Sequence, residues 1–257
     1  MDILYQLPFP KEVCSKIFMY ACKSPHTGLG GSILKKQLGT DDLNIHEKDE
    51  DVIIFDANSY EITNSLDDYP HKISIDIYYY TCFYNLMVIN LYDTCVTGDI
   101  INLNALPKLT EIWLFNTGVT GDILHLASLL NLTTINFYNT RVTGDIVHLK
   151  SLPNLSYIDL SNTGVTGDIV HLKSLPNLSY IDLGNTGVSG DILHLNSLHN
   201  LTEILLNETS VYGDSTELKS LPELTVIYIS DTEIIINEEL FHEYRESAGL
   251  EDCYIHI

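Results

Sequence analysis

A pattern of apolar and polar positions recurs every 23 residues over most of the chain. In the unit that begins at Leu152, apolar residues follow at Leu155, Ile158, Leu160 and Val165. Seven units keep one register, marked by a threonine column, which comprises Thr94, Thr117, Thr140, Thr163, Thr186, Thr209 and Thr232. A repeat of this length predicts a solenoid in which each unit buries its apolar face against its neighbours.

Each unit continues with a Gly-Asp pair and further apolar positions. Gly167 predicts a tight turn, Asp168 predicts the cap of a short helical turn, and Ile169 and Leu172 return to the core. The spacing resembles the leucine-rich repeat, with Thr163 at the ladder position that asparagine usually takes, and Gly-Asp-Ile is similar to the Gly-x-Ile segment of the plant-type subclass. The resemblance implies an α/β solenoid, a right-handed superhelix with a parallel concave sheet formed by seven repeats at 83–236.

Both ends of the repeat array carry other patterns. Downstream, Asn237 is a candidate helix cap and Gly249 a candidate helix end, and a closing strand follows from Cys253. These features predict a helix-strand cap at 237–257. Upstream, residues 51–82 predict irregular strands that close the other end, and the segments that carry this pattern are 52–55 and 73–78.

The first 50 residues predict a small helical head. Pro10 suits a helix start, and Val13, Ile17 and Tyr20 follow along one helical face. Residues 9–20 resemble the opening of an F-box, a family that implies docking to an adaptor of the Skp type. Two hypotheses follow. In one the head only caps the first repeats, and in the other the chain is an F-box-type substrate receptor of a ubiquitin ligase.

Charge narrows the range of partners. The chain has 35 acidic and 13 basic residues, a formal net charge of -22, which repels phosphate backbones and anionic lipid surfaces. We therefore expect no nucleic-acid or membrane partner. No signal-like leader or 18-residue apolar stretch is present, and five scattered cysteines suit a reducing compartment. These features predict a cytoplasmic or nuclear protein.

Two columns of polar residues on the outer flank of the predicted solenoid could carry chemistry. The aspartates are Asp99, Asp122, Asp145, Asp168, Asp191 and Asp214, and the histidines are His125, His148, His171 and His194. One hypothesis is a metal-dependent hydrolase on these columns. The other assigns each aspartate to a helical-turn cap and each histidine to solvent. Because the columns repeat and no nucleophile-elbow, phosphate-loop or zinc-protease motif occurs, we expect no enzyme, cofactor or metal.

The outward positions of the predicted strands are not needed by the scaffold, yet aromatic residues gather there. Trp113 is predicted to lie beside Phe115, between the rows of Tyr92 and Tyr138. The candidate partner-binding residues are Tyr92, Trp113, Phe115, Tyr138, Tyr157, Asp159, Tyr180 and Asp182. Exposed rings typically anchor protein interfaces, and neighbouring carboxylates favour a basic partner segment. The sequence therefore predicts a non-enzymatic module that binds a protein or peptide on its concave strand face. The alternative is that the head or a loop covers the rings.

Overall fold

A computed structural model describes residues 44–48, 52–56, 75–82, 86–93 and 96–257. The helical head predicted for residues 1–50, with its F-box-like opening, lies outside the described residues except at 44–48, which form a strand. None of the helices in the described ranges is long and apolar enough to span a bilayer.

Two sheets run along the repeat array. The first has ten strands, parallel except for the first pair. Its strands are β1 (Asn44–Lys48), β2 (Val52–Asp56), β4 (Val88–Asn90), β6 (Glu111–Trp113), β8 (Thr134–Asn136), β10 (Tyr157–Asp159), β12 (Tyr180–Asp182), β14 (Glu203–Leu205), β16 (Val226–Tyr228) and β18 (Tyr254–His256). Each strand pairs with the next one in this order, so the predicted parallel sheet is present.

The second sheet was not predicted. It has eight parallel strands, which are β3 (Ile75–Asp76), β5 (Val96–Asp99), β7 (Gly118–Asp122), β9 (Arg141–Asp145), β11 (Gly164–Asp168), β13 (Gly187–Asp191), β15 (Ser210–Asp214) and β17 (Glu233–Ile235). The six strands β5, β7, β9, β11, β13 and β15 end at the aspartate of the Gly-Asp pair. Backbone pairing between successive repeats holds these segments extended, although glycine and aspartate are poor strand formers.

A 3₁₀ turn follows most strands of the second sheet. The turns span Ile77–Cys82, Ile100–Ala105, Ile123–Ser128, Ile146–Ser151, Ile169–Ser174, Ile192–Leu195 and Ser215–Leu218. The strand predicted for 73–78 is wrong beyond Asp76, because the Asp76 carboxylate accepts the Tyr78 amide at 2.8 Å and starts the first turn. Asp76 stands 23 residues before Asp99, so this region contributes a further set of repeat-type elements.

The core lies between the two sheets and the turns. The inward positions of the repeats are apolar and close to fully buried, for example Ile158, Leu160, Val165 and Ile169. Ser215 is an exception, since it is fully buried at a position where the preceding repeat has isoleucine. Burial of this kind stabilises each repeat only through its neighbours.

The threonine ladder lies at the edge of this core. The hydroxyl of each described ladder threonine donates to the carbonyl three residues earlier at 2.5 to 2.7 Å, as Thr163 does to Leu160. Each of these hydroxyls therefore satisfies a backbone carbonyl of its own bend. Thr94 lies outside the described residues.

The helix-strand cap is present at the C-terminal end. Helix α1 (Glu238–Ala248) starts at Asn237, whose side chain accepts the Leu240 amide, and ends at Gly249 in the left-handed region with φ 68°. The helix turns Phe241 and Arg245 inward. Strand β18 then extends the first sheet beyond β16.

Arg245 joins the cap to the last repeat. Its side chain is fully buried and donates to the carbonyls of Leu221 and Leu224 at 2.8 and 2.7 Å, and of Glu251 at 2.8 Å. The guanidinium is thus satisfied by backbone oxygens, which strand-and-turn geometry leaves free at the end of the array.

Candidate functional site

The outward side of the ten-stranded sheet, called the strand face below, carries the predicted site. In β10, Tyr157 and Asp159 flank the inward, fully buried Ile158. Ser161, two positions after the strand, adds a third position. Each repeat therefore contributes a first, second and third column to the strand face, as the alternation in the sequence predicted.

The aromatic candidate residues form two separate stacks on the strand face. Tyr92 and Phe115, neighbours in the third column, stack with ring centroids 4.4 Å apart and planes 6° apart. Trp113 packs against Tyr157 at 5.3 Å and 45°, and Tyr157 stacks on Tyr180 at 4.3 Å and 4°. The three rings of Trp113, Tyr157 and Tyr180 are called the aromatic file below.

The ring contact of Trp113 is with Tyr157, two repeats further along the chain. Its indole leans toward Tyr157 instead of Phe115, and its Nε1 donates to Glu111 Oε2 at 2.9 Å. Within the described part of the chain, no ring contact involves Tyr138, which is 37% exposed. The candidate residues therefore do not form one cluster, because the file runs diagonally from the second column to the first.

Trp113 and Tyr157 belong to repeats that are two apart, so their rings meet above the repeat between them. Strand pairing places Asn136 beside Trp113 and Thr134 beside Tyr157. Neighbouring strands lie about 4.8 Å apart, so rings with a 5.3 Å centroid distance must lean toward each other. Thr134 and Asn136 are consequently only 8% and 5% exposed, although they occupy outward positions.

Asp159 was expected to face solvent, and this expectation is wrong, since the residue is 8% exposed. Its Oδ1 accepts the backbone amide of Ser161 at 3.2 Å and the Ser161 hydroxyl at 2.8 Å. These bonds hold the carboxylate against the sheet. Asp182, its in-register neighbour, remains half-buried, and its Oδ1 accepts the Gly184 amide at 2.9 Å.

The carboxylate pair has a distinct electrostatic state. Burial, together with the charge of Asp182, raises the pKa of Asp159 to about 6, against the opposing effect of the Ser161 hydrogen bonds. Burial also raises the pKa of Asp182, and the Gly184 amide works against that rise. The two carboxylates therefore lie in a site where negative charge is costly.

From β4 to β18 no lysine or arginine occupies the three columns of the strand face. The lysines and arginines of residues 86–257 are in turns, in the second sheet or in the cap, namely Lys108, Arg141, Lys150, Lys173, Lys219 and Arg245. Lys48 belongs to β1, at the far end of the first sheet. Among the described residues the one ion pair joins His242 and Asp252 at 2.8 Å, away from this face. Glu111, Asp159, Asp182 and Glu203 thus make the described strand face negative.

A further ring cluster at the C-terminal end was missed. His256 stacks on Tyr228 at 4.3 Å and meets Tyr254 edge-on at 6.2 Å. β18 pairs in register with β16, so His256 continues the second column. The interval from Tyr228 to His256 is 28 residues instead of 23, which hides this continuation from a search at fixed period.

The aspartate column on the other flank has a structural role. In six successive turns the aspartate Oδ1 accepts the amide two residues later at 2.8 to 2.9 Å, which confirms the capping prediction. The histidines of that flank are half-buried. In the described ranges no group of three or more His, Cys, Asp or Glu side chains converges.

The same architecture occurs in solved structures. The plant peptide hormone receptor RGFR1 in complex with RGF2 has 23% identity and a TM-score of 0.61, over 72% of this chain and 30% of its own. The Arabidopsis receptor kinase HAESA, in complex with the peptide hormone IDA and the co-receptor SERK1, has 26% identity and a TM-score of 0.57, over 63% and 28%. An internalin from Listeria monocytogenes has 23% identity and a TM-score of 0.57, over 72% and 51%.

These structures are leucine-rich-repeat proteins. This chain has the leucine-rich-repeat fold. Its two parallel sheets, with strands that pair consecutively, match those solenoids, which confirms the predicted fold class. The chain spans about a third or less of the plant receptors and about half of the internalin. No family model and no curated protein matches the sequence.

Proposed function

We propose that the protein is a non-enzymatic module that binds a protein or peptide segment on the strand face. The observation that carries this proposal is the aromatic file. Trp113, Tyr157 and Tyr180 lie at outward positions where the solenoid needs no large side chain, yet they stack in contact with one another. Preassembled rings offer a large apolar area at low entropic cost, which is typical of interface anchors.

The structural comparisons support this direction. The receptor RGFR1 is in complex with RGF2, and HAESA is in complex with a peptide hormone. A leucine-rich-repeat solenoid is therefore able to present a surface to a peptide. The negative charge of Glu111, Asp159, Asp182 and Glu203 favours a basic partner segment on this chain by charge complementarity.

Removing the anchor ring tests the proposal. An anchor at the centre of an interface typically contributes about 2 kcal/mol or more, so Trp113→Ala should weaken partner binding at least about thirtyfold. The matched control is Tyr212→Ala, which removes an exposed ring from the second sheet. Affinity purification with each variant, quantified by mass spectrometry, should retain the partner with Tyr212→Ala and lose it with Trp113→Ala. Equal retention by both variants would refute the proposal.

The F-box-like residues 9–20 support a second candidate, a substrate receptor of a ubiquitin ligase. In that case the same purification should recover an adaptor of the Skp type and a cullin. Their recovery should survive Trp113→Ala, because the strand face would select the target and the head would dock the adaptor.

A further inference from the structure

We propose that the strand face contains a subsite for one arginine side chain of the partner, at the end of the aromatic file between Tyr180 and Glu203, with Asp182 beside it. This inference rests on the proposed function, since the arginine belongs to the segment bound on that face. It adds the chemical identity of one recognised side chain and its location.

The first observation is the orientation of the last ring of the file. Tyr157 and Tyr180 stack with planes 4° apart, so their ring faces look along the axis on which the repeats succeed one another. Tyr157 covers one face of Tyr180. Among the described residues no ring lies on its other face, which looks toward the repeat of Glu203, the in-register neighbour of Tyr180. A flat cation can stack on such a face.

The second observation is the unbalanced charge around that ring. Asp159 and Asp182 are neighbours in register, and both are largely withdrawn from water. Glu203 follows Tyr180 in the first column. From β4 to β18 no lysine or arginine on the strand face offsets these three carboxylates. A bound cation would reduce both the repulsion between the carboxylates and the cost of their burial.

The third observation is a neutral acceptor beside the carboxylates. Gly184 has an ordinary backbone conformation, so the scaffold does not require glycine there. Its missing side chain leaves room for Asn207, whose Oδ1 would be 2.7 Å from a Cβ built at position 184. Asp182 lies on one side of the step between these two repeats, and Glu203 and Asn207 lie on the other side, in the first and third columns.

These acceptors favour arginine over lysine. A guanidinium is planar, stacks on aromatic faces and directs five N–H donors outward in its own plane, whereas an ammonium is a compact point charge. Arg141 and Arg245 are the only arginines of this chain. The first lies in the second sheet and the second is buried in the cap. The arginine must therefore come from another molecule.

The test uses a display library of random 12-residue peptides, panned against the full chain. Peptides whose binding is lost in Trp113→Ala should be enriched in arginine. The best one is then synthesised with its arginine, with citrulline as the neutral isostere, and with lysine. Citrulline should lower the affinity about tenfold or more, as expected when a charged hydrogen-bond donor is removed, and lysine should also bind more weakly than arginine.

A cycle of variants localises the effect. In the double variant that combines Asp182→Asn with Glu203→Gln, the affinities for the arginine and citrulline peptides should differ by less than about threefold, because the charged acceptors are gone. The matched control, Glu217→Gln with Glu223→Gln, removes two exposed charges outside the strand face and should keep the full difference.

The outcomes separate the two proposals. Peptides that need Trp113 but carry no arginine, a citrulline peptide that binds as well as its arginine form, equal binding of lysine, or an undiminished difference in the Asp182 and Glu203 variant would each overturn the subsite and leave the proposed function standing. Enriched peptides that all bind Trp113→Ala normally would overturn the proposed function itself.

Discussion

Asp159 offers a quantitative test of the electrostatics of the strand face. Its carboxyl has a pKa of 3.8 when unperturbed and about 6 in the folded protein. A difference of about 2 pH units at 1.36 kcal/mol per unit corresponds to about 3 kcal/mol. Because the folded-state pKa is the higher one, this stabilisation is complete below pH 4 and is lost as the pH rises through 6.

Asp159→Asn removes the titration while it keeps an oxygen that can accept the Ser161 amide and hydroxyl. The variant should match the wild type near pH 4 and exceed its free energy of unfolding by up to about 3 kcal/mol at pH 7. Urea unfolding at several pH values, followed by the fluorescence of the single tryptophan, Trp113, measures both proteins. Only the difference between them matters, since the other carboxylates titrate in both. For an exposed control such as Glu217→Gln, the free energy of unfolding should differ from that of the wild type by the same amount at every pH from 4 to 8. If Asp159→Asn behaved in the same way, the assigned burial of Asp159 would be refuted.

Three further changes test the scaffold. Thr163→Val keeps the shape of the side chain but removes the donor to the Leu160 carbonyl, so the free energy of unfolding should fall by roughly 1–3 kcal/mol; an unchanged urea midpoint would mean that the hydroxyl is not needed. Gly167→Ala should cost about 3 kcal/mol or more, because φ is +116° and the new Cβ would lie 2.2 Å from a carboxylate oxygen of the preceding repeat. Gly164→Ala, which has an ordinary φ and a 2.9 Å approach of the new Cβ to the Thr143 methyl, is the comparison that carries close contact without backbone strain and should cost less in the same assay. Arg245→Met leaves three carbonyls without their donor, so hydrogen exchange should show fraying of the last two repeats, and full protection there would contradict the role of Arg245 as the link between cap and array.

The repeat itself could be predicted because nearly all of its inward positions obey one rule. Positions that stay apolar in successive repeats, as those of Ile158 and Leu160 do, produce a period that can be recognised without knowledge of the fold. The caps at the C-terminal end were equally visible, since Asn237 and Gly249 have strong local preferences for helix ends.

The second sheet could not be predicted in the same way. Its segments, such as Gly164–Asp168, are short and contain glycine, and they are extended only because the next repeat supplies backbone partners. The steric reason for the glycine was hidden as well. Gly167 does more than turn the chain, because the carboxylate of Asp145 from the preceding repeat occupies the space of its missing side chain.

The residue before each ladder threonine also follows a sequence pattern, which the more regular threonine column obscured. The residue before each ladder threonine has a positive φ of 52° to 57°. Asn or Asp occupies six of these seven positions, and both tolerate the left-handed region better than other residues with a side chain. Asn116 and Asn139 also donate to the residue of the same column in the preceding repeat at 2.8 Å. A second ladder therefore runs beside the threonines.

The candidate site was harder to predict than the scaffold, since its arrangement depends on how long side chains lean. The columns correctly identified Trp113 and Tyr157 as outward residues. They could not show that the two rings cover Thr134 and Asn136, because that contact joins repeats 44 residues apart in sequence. The burial of Asp159 depends likewise on bonds formed within its own repeat.

In the second column of the strand face, the same side chains hold the backbone in place and, under the proposed function, contact the partner. Asn136, Asp159 and Asp182 each accept a backbone amide two residues later, from Tyr138, Ser161 and Gly184, at 2.9 to 3.2 Å. Each of these side chains therefore fixes the exit of its strand with one oxygen. At the half-buried Asp182, the negative charge is the feature that the proposed subsite would use.

Because one oxygen of Asp182 holds the backbone and its charge would serve binding, different substitutions of this residue affect stability and binding separately. Replacing Asp182 by asparagine preserves an acceptor for the Gly184 amide and removes only the charge. The backbone that follows β12 should therefore stay in place while the affinity for a cation falls. Replacing it by alanine would also free the amide, and the strand exit would lose a bond worth about 1 kcal/mol. Because the free face of Tyr180 lies beside that exit, a loss of binding in the alanine variant would combine lost charge with displaced geometry. The asparagine variant is therefore the one whose affinity reports the charge of the strand face alone.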